Sequence, residues 1–408
     1  MFRSVRWQAL AVLLALGHSA AAEARGPAPR AVSLDEVLAA VGKAPDHVAA
    51  EAHAHASVQA VESAGGLPPT TVTLGTSRLQ ARLIAGVQVP LPVFGRAAAA
   101  RDVARAERAA AQADAGQVGL NLLHDVKVAW YELLHQQAQA ELAASQAARA
   151  ARLAQVAHRR FEAGDAPRQD AVQADAAAAL AAAEASNEQA QVEAASAGLA
   201  ALLGWDPVAP LRARGSLPTR FPNPPSLASL AARLGAHPAI ESANAQVASA
   251  QARMLAASRD QWPTLSLGTE AELFDPTLPG PEVRVLLNLD VPLFGRRSAA
   301  RDTASAEHAA AQADRTSLMA RARGALVAAY RRYQAAQGRA LGFAENVVPA
   351  AKDAARLAEV AYQQGQSGLV SVLDAQRSLA DAQREWLDAR LTAATALADL
   401  NRAAGGAW

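Results

Sequence analysis

Between residues 263 and 296 the polarity of the chain alternates with every residue. Leu265, Leu267, Thr269, Ala271 and Leu273 fall on one face, and Ser266, Gly268, Glu270 and Glu272 on the other. After a loop, Val283, Val285, Leu287, Leu289 and Val291 oppose Arg284, Leu286, Asn288 and Asp290. A period of two predicts a β-hairpin. One side greasy and the other mostly polar suits a transmembrane strand between lipid and water as well as half of a sandwich. Beyond Arg296 the pattern changes to an Ala-rich helical one that continues far longer than a globular domain requires.

The same succession occurs about two hundred residues earlier. Thr70 to Thr76 forms an outgoing arm, and Arg82 to Val93 returns with Leu83, Ala85, Val87, Val89 and Leu91 on one face. Both returning arms end in Phe-Gly-Arg, at Phe94 to Arg96 and Phe294 to Arg296, and Ala109 to Asp114 recurs letter for letter as Ala309 to Asp314. Alanine richness does not reproduce an order of residues, so the chain is an internal duplication.

The helical pattern after each hairpin runs from Arg96 to about Ala163 and from Arg296 to about Gln364, with Pro349 inside the second. At ~1.5 Å per residue each is roughly 100 Å long, several times the width of a compact domain, and has to pack along other long helices. Each ends at a glycine turn, around Gly164 and Gly365, from which a second helix returns to about Leu203 or Leu400. Ser33 with Glu36 reads as a capping box opening a shorter helix ahead of the first hairpin, and Ser226 opens its counterpart; both restart at a proline, Pro45 and Pro238.

The fold expected is mainly α with a small β part. Residues 1–22 read as a secretory signal, since Arg3 and Arg6 precede the apolar run Ala9 to Gly17 and Ala20 to Ala22 suit a signal peptidase. Residues 23–204 are the first repeat, with its β-hairpin at about 69–93 and helical hairpin at about 95–204. The Pro-rich stretch 205–225 is expected as an irregular connector rather than a core element, able to fold on the helices as a belt. Residues 226–404 are the second repeat, with hairpins at about 263–293 and 295–400, and 405–408 a tail.

Composition narrows the chemistry. With 51% apolar residues and 4% aromatics, the 408-residue chain is too apolar for disorder, and without cysteine it has no disulfide, thiolate ligand, cysteine nucleophile or cysteine-borne lipid anchor. Without the signal's two arginines, 37 basic residues stand against 38 acidic ones, with no basic stripe for nucleic acid. His53 and His55 sit on different faces of a helix, His124 and His135 are expected to lie far apart without a carboxylate partner in sequence, and Met254 and Met319 make no soft-metal cluster. No phosphate loop, nucleophile elbow or paired-acid motif appears, so neither an enzyme nor a cofactor or metal site is expected. Trp262, at the foot of the second hairpin, suits either an interfacial aromatic belt or packing on the connector.

The signal, the two copies of helix, hairpin and long helix, and the turn Tyr362 to Gly365 followed by Val370 to Ala375 together resemble the TolC-like outer membrane efflux proteins over nearly the whole mature chain. Geometry agrees: four strands cannot close a barrel, and an open edge is intolerable in lipid, so several chains have to pool their strands. The resemblance implies a homotrimer sharing a 12-stranded barrel, continued by duplicated helical hairpins as an α-barrel tunnel through the periplasm. Such a duct is passive, and partners an inner membrane pump of the resistance-nodulation-division type through a periplasmic adaptor. The junction Val291 to Arg296 is similar to that of the heavy-metal branch somewhat more than the drug branch. Two alternatives remain: an exit duct for type I protein secretion, and a soluble periplasmic coiled-coil scaffold.

The resemblance also implies a gate at the periplasmic tip. Asp170 matches its acid and Tyr362 its tyrosine, while Ser367 stands where an arginine is expected. Of two pore-narrowing aspartates only Asp374 is matched, the other position being Ser371. Three symmetry-related Asp374 carboxylates would favour cations; read without the resemblance, Asp374 is a solvated acid near a helix start. The adaptor is expected to dock on the same turns, at Gly164, Gly365 and Leu369.

Overall fold

The computed structural model describes residues 29–64, 66, 69–76, 83–273, 282–291 and 296–407. The signal segment, the hairpin loops and the junction at Phe294 lie outside them.

Chain order follows the duplication. The first repeat contains β1 (Arg30–Val32), α1 (Leu34–Ala40), α2 (Pro45–Ser63), β2 (Thr71–Thr76), β3 (Leu83–Pro90), α3 (Arg96–Glu162) and α4 (Arg168–Leu203). β4 (Leu211–Ala213) lies in the connector. The second repeat contains α5 (Leu227–Arg233), α6 (Pro238–Arg259), β5 (Thr264–Leu273), β6 (Glu282–Asp290), α7 (Arg296–Gly342), α8 (Val348–Gln363) and α9 (Leu369–Ala403). Ser33 caps α1 by accepting from the Glu36 N–H, and Ser226 caps α5 by accepting from that of Ser229.

Between α7 and α8 the helix does not stop but widens into one π turn, Phe343–Val347. Pro349 has no N–H to donate back into the preceding turn, and the wider turn absorbs that missing bond without ending the helix. No helix among the described residues is long and apolar enough to cross a membrane.

The sheet is antiparallel in the order β2-β3-β5-β6. Its register aligns the apolar positions into rows, such as Val72, Val87, Thr269 and Val285, or Leu74, Ala85, Ala271 and Val283. These rows are uncovered: Leu74, Val283 and Val285 are about 70% exposed. The opposite face is sheltered at the central strands, with Ser266 buried and receiving a hydrogen bond of 2.6 Å from Gln88 Nε2. Water-borne sheets put these faces the other way round.

Below the sheet, α2, α3, α6 and α7 lie side by side, and α4 and α9 accompany the lower reaches of the long helices. The return helices meet the short ones end to end. Gly204 caps α4 at φ +68°, and a Cβ there would stand 2.8 Å from the ring of Pro45, which starts α2. Gly405, after α9, meets the backbone of His237 in the same way.

The two larger core clusters gather at this level. Val32, Val37, Leu122, Trp130, Leu199 and Leu211 pack in the first repeat, and Leu230, Leu326, Tyr333, Ala393 and Leu400 in the second. Here the expectation for the connector is corrected. β4 pairs parallel with β1, and Leu211, Ala213 and Leu217 are buried. Three alternating residues are too few to reveal a strand by pattern. Polar groups from the second repeat then hold the connector's carbonyls: Arg390 donates to Leu217 and Pro218, Tyr333 Oη to Pro222 at 2.6 Å, and Gln337 to Phe221 at 3.0 Å. Burial pushes the Tyr333 phenol up to about 12.

Candidate functional site: the helical tip

Two turns of one design form the end of the molecule remote from the sheet. At the first, Gly164 takes φ +81°, its N–H donates to Phe161 and that of Asp165 to Arg160 at 2.8 Å. At the second, Gly365 takes φ +74°, its N–H donates to Tyr362 and that of Gln366 to Ala361 at 2.8 Å. Both are Schellman-type ends, which need a left-handed residue and therefore favour glycine.

Beneath the turns, four helices share an apolar plug of Leu153, Ala154, Ala157, Ala174, Tyr362, Leu369 and Val372. Leu369, expected among the docking residues, is 2% exposed and packs into this plug rather than offering its side chain to a partner. Val370 beside it is exposed. The turn glycines Gly164 and Gly365 are both exposed.

Tyr362 is 1% exposed, and its hydroxyl has no hydrogen-bond partner. No hydrogen bond therefore joins it to Asp170 within the chain, although the half-buried Asp170 is close enough to bear on it. Burial raises the Tyr362 phenol, Arg160 opposes that shift and Asp170 adds to it. Ser367 likewise keeps a buried, unpartnered hydroxyl.

The guanidinium expected near position 367 comes instead from the other repeat. Arg160 lies 4.6 Å over the Tyr362 ring, donates through Nη1 to the Tyr362 carbonyl at 2.9 Å, and through Nη2 to the Asp165 carbonyl at 3.3 Å. One side chain so ties the two turns together. Sequence reading missed it. The signal was an asymmetry between the copies: aligning Gly164 with Gly365 sets Arg160 against Ala361, an unshared charge.

Ser371 and Asp374 are both exposed, one helical turn apart on α9. Among the described residues Asp374 has no ion pair or hydrogen bond through its side chain. Above them, a groove of about 780 Å³ runs between the two helical hairpins, with Arg149, Lys352, Arg356 and Arg384 among its lining. Arg384 crosses it to Glu184 at 3.3 Å.

The expectation that the α3 histidines lack carboxylate partners is corrected: His124 has one in its sequence neighbour, and both gain one from α9. His124 lies between Asp125 at 2.7 Å and Asp399 of α9 at 2.8 Å, and His135 meets Asp388 of α9 at 2.7 Å. These contacts join the repeats, and no group of three metal-ligating side chains occurs among the described residues. At the other end, the polar face of the sheet carries Glu270, Glu272, Glu282 and Arg284, with Arg284 bonded to Glu282 at 2.9 Å and 3.5 Å from Glu272.

A family model described as outer membrane efflux protein matches residues 48–205 and 230–406. The pyoverdine export outer membrane protein OpmQ of Pseudomonas putida is 33% identical over 184 residues, which are 43% of this chain and 38% of OpmQ. The match thus spans under two fifths of that relative. Among solved structures, the outer-membrane channel OprN superposes with a TM-score of 0.76 over 92% of this chain and 90% of its own, at 22% identity. The outer membrane protein VceC of Vibrio cholerae does so with 0.74 over 91% and 96%, also at 22%. Those two likenesses speak to fold.

Proposed function

The chain belongs to the outer membrane efflux protein family, and from that premise we propose that it is the outer membrane exit duct of a tripartite efflux system. The observation that carries the reading is the inverted sheet. Its apolar rows are bare while the polar face of its central strand is buried at Ser266 and Gly268, an arrangement that suits a barrel wall between lipid and a wet lumen. The strands β2 and β6 stand at its two edges, and edges in lipid have to be paired. Three copies closing a 12-stranded barrel satisfy them, with the long helices forming a tunnel into the periplasm.

The duct is passive, fed by an inner membrane pump through a periplasmic adaptor that docks on the turns at Gly164 and Gly365. Asp374 and Ser371 line its narrow end, and Tyr362, Asp170 and Ser367 belong to the closing apparatus. For the cargo, small solutes such as metal cations or drugs are proposed, together with siderophores, since OpmQ is named for pyoverdine export.

The test is conductance of the purified full chain in planar bilayers, paired with Val285→Arg. Val285 is 72% exposed on the apolar rows, and an arginine facing lipid costs about 2–4 kcal/mol near the bilayer midplane. Trimers that conduct, and a variant that fails to insert, support the duct. Release of the wild type without detergent overturns it. Growth of a deletion strain on divalent metals, silver, dyes, antibiotics and a siderophore then identifies the cargo class.

A further inference from the structure

At the foot of the sheet the chain spends backbone strain on an exposed aromatic pair. Phe94 takes φ +57°, the left-handed region that residues with a side chain avoid. Its ring stacks on Trp262, centroids 5.7 Å apart and planes at 18°, yet the two residues remain 42% and 51% exposed. The Trp262 ring thus packs on the residue that ends the first hairpin.

The pair walls a cleft of about 380 Å³ between α3 and α6. That falls within the ~300–1,000 Å³ of small-ligand sites. Ala98, Ala99 and Asp102 of α3 and Ala252, Leu255 and Arg259 of α6 complete it. These positions point away from Ala104 and Ala250, which are buried on the other side of the same helices. α3 and α6 are also the inner pair of the row α2, α3, α6, α7, so the cleft is remote from the helices a neighbouring copy would cover.

Two features select the occupant. The cleft lies at the foot of the bare apolar rows, whose lowest members Leu267, Leu289 and Val291 are exposed. At its rim Arg259 is exposed, and its guanidinium has no partner among the described residues. The acid there, Asp102, is engaged by Arg105 at 3.1 Å. An aromatic and aliphatic wall under a free guanidinium, at the level where a lipid-facing surface ends, matches one chemistry, an acyl chain carrying a phosphodiester.

We propose that this cleft binds a glycerophospholipid of the periplasmic leaflet, its acyl chain along Trp262, Phe94 and Leu255 and its phosphodiester on Arg259. The inference rests on reading the sheet as membrane-spanning. Bound lipid there fixes the level at which the barrel ends and the helices begin.

The test is native mass spectrometry of the delipidated full chain in detergent, titrated with phosphatidylglycerol or with a diacylglycerol lacking phosphate. Arg259→Gln is expected to weaken phosphatidylglycerol binding roughly fivefold, the scale of one charge-assisted contact, and to leave diacylglycerol binding unchanged. Leu255→Trp, at a residue already exposed, fills the cleft and is expected to lower both; its melting temperature checks that it folds. Equal binding of both lipids by all three proteins overturns the site, and an effect of Leu255→Trp alone overturns the role of Arg259. Bilayer conductance of the same preparations keeps this separate: conducting proteins with unaltered lipid binding sink only the cleft, whereas a wild type that never inserts sinks the duct.

Discussion

The guanidinium of Arg160 lies 4.6 Å over the ring of Tyr362 and donates to the carbonyl of the same residue. A side chain of the first repeat thereby fastens the turn of the second. With its further bond to Asp165, this contact is worth about 1–3 kcal/mol. Arg160→Ala should therefore raise the open fraction of the tip by roughly tenfold or more, read as larger or more frequent conductance steps in bilayers. Arg160→Lys keeps the charge but not the planar fork and should fall between.

Asp374 and Ser371 share an exposed face of α9. In a threefold assembly each makes a ring. Asp374→Asn should move the reversal potential in a salt gradient toward zero as cation preference falls, and Ser371→Asp should move it the other way and deepen block by divalent cations.

The two kinds of glycine separate conformation from space. Gly164 has a positive φ but nothing near its missing Cβ, so Gly164→Ala should cost about 1 kcal/mol. Gly204 has a positive φ and the Pro45 ring 2.8 Å from where a Cβ would be. Gly204→Ala should cost about 2–3 kcal/mol, and thermal melting of the detergent-solubilised protein should rank the two in that order.

Tyr333 connects pH to the belt. Its folded phenol, pushed up to about 12 by burial, lies above the ordinary value near 10. The stabilisation it gives is complete below about pH 10 and is lost as pH rises through about 12. Tyr333→Phe should flatten the fall of melting temperature across that window. At neutral pH it should cost about 1 kcal/mol for the lost bond to Pro222.

What the sequence disclosed was what repeats with a period. Alternation located β5 and β6 to within about one residue, because a one-residue slip would exchange the two faces, and the long helices followed from alanine and missing prolines. Glycine marked both turns, because their backbone demands φ > 0. Contacts without a period stayed hidden. β1 and β4 are three residues each and meet across the whole first repeat. His124 meets Asp399 and His135 meets Asp388 only because α9 returns beside α3. The tip was legible in part: Tyr362 was singled out, but the guanidinium was sought at position 367, and no local rule indicates that Arg160 reaches across 202 residues.

The open strands β2 and β6 bear finally on how the molecule comes into being. A single copy outside the bilayer exposes the row from Val283 to Val291 to water and, inside it, two unsatisfied edges to hydrocarbon. Neither phase suits a lone chain. For the proposed duct, insertion and association are then one reaction, steep in protomer concentration, and the lone chain before it is the aggregation-prone species.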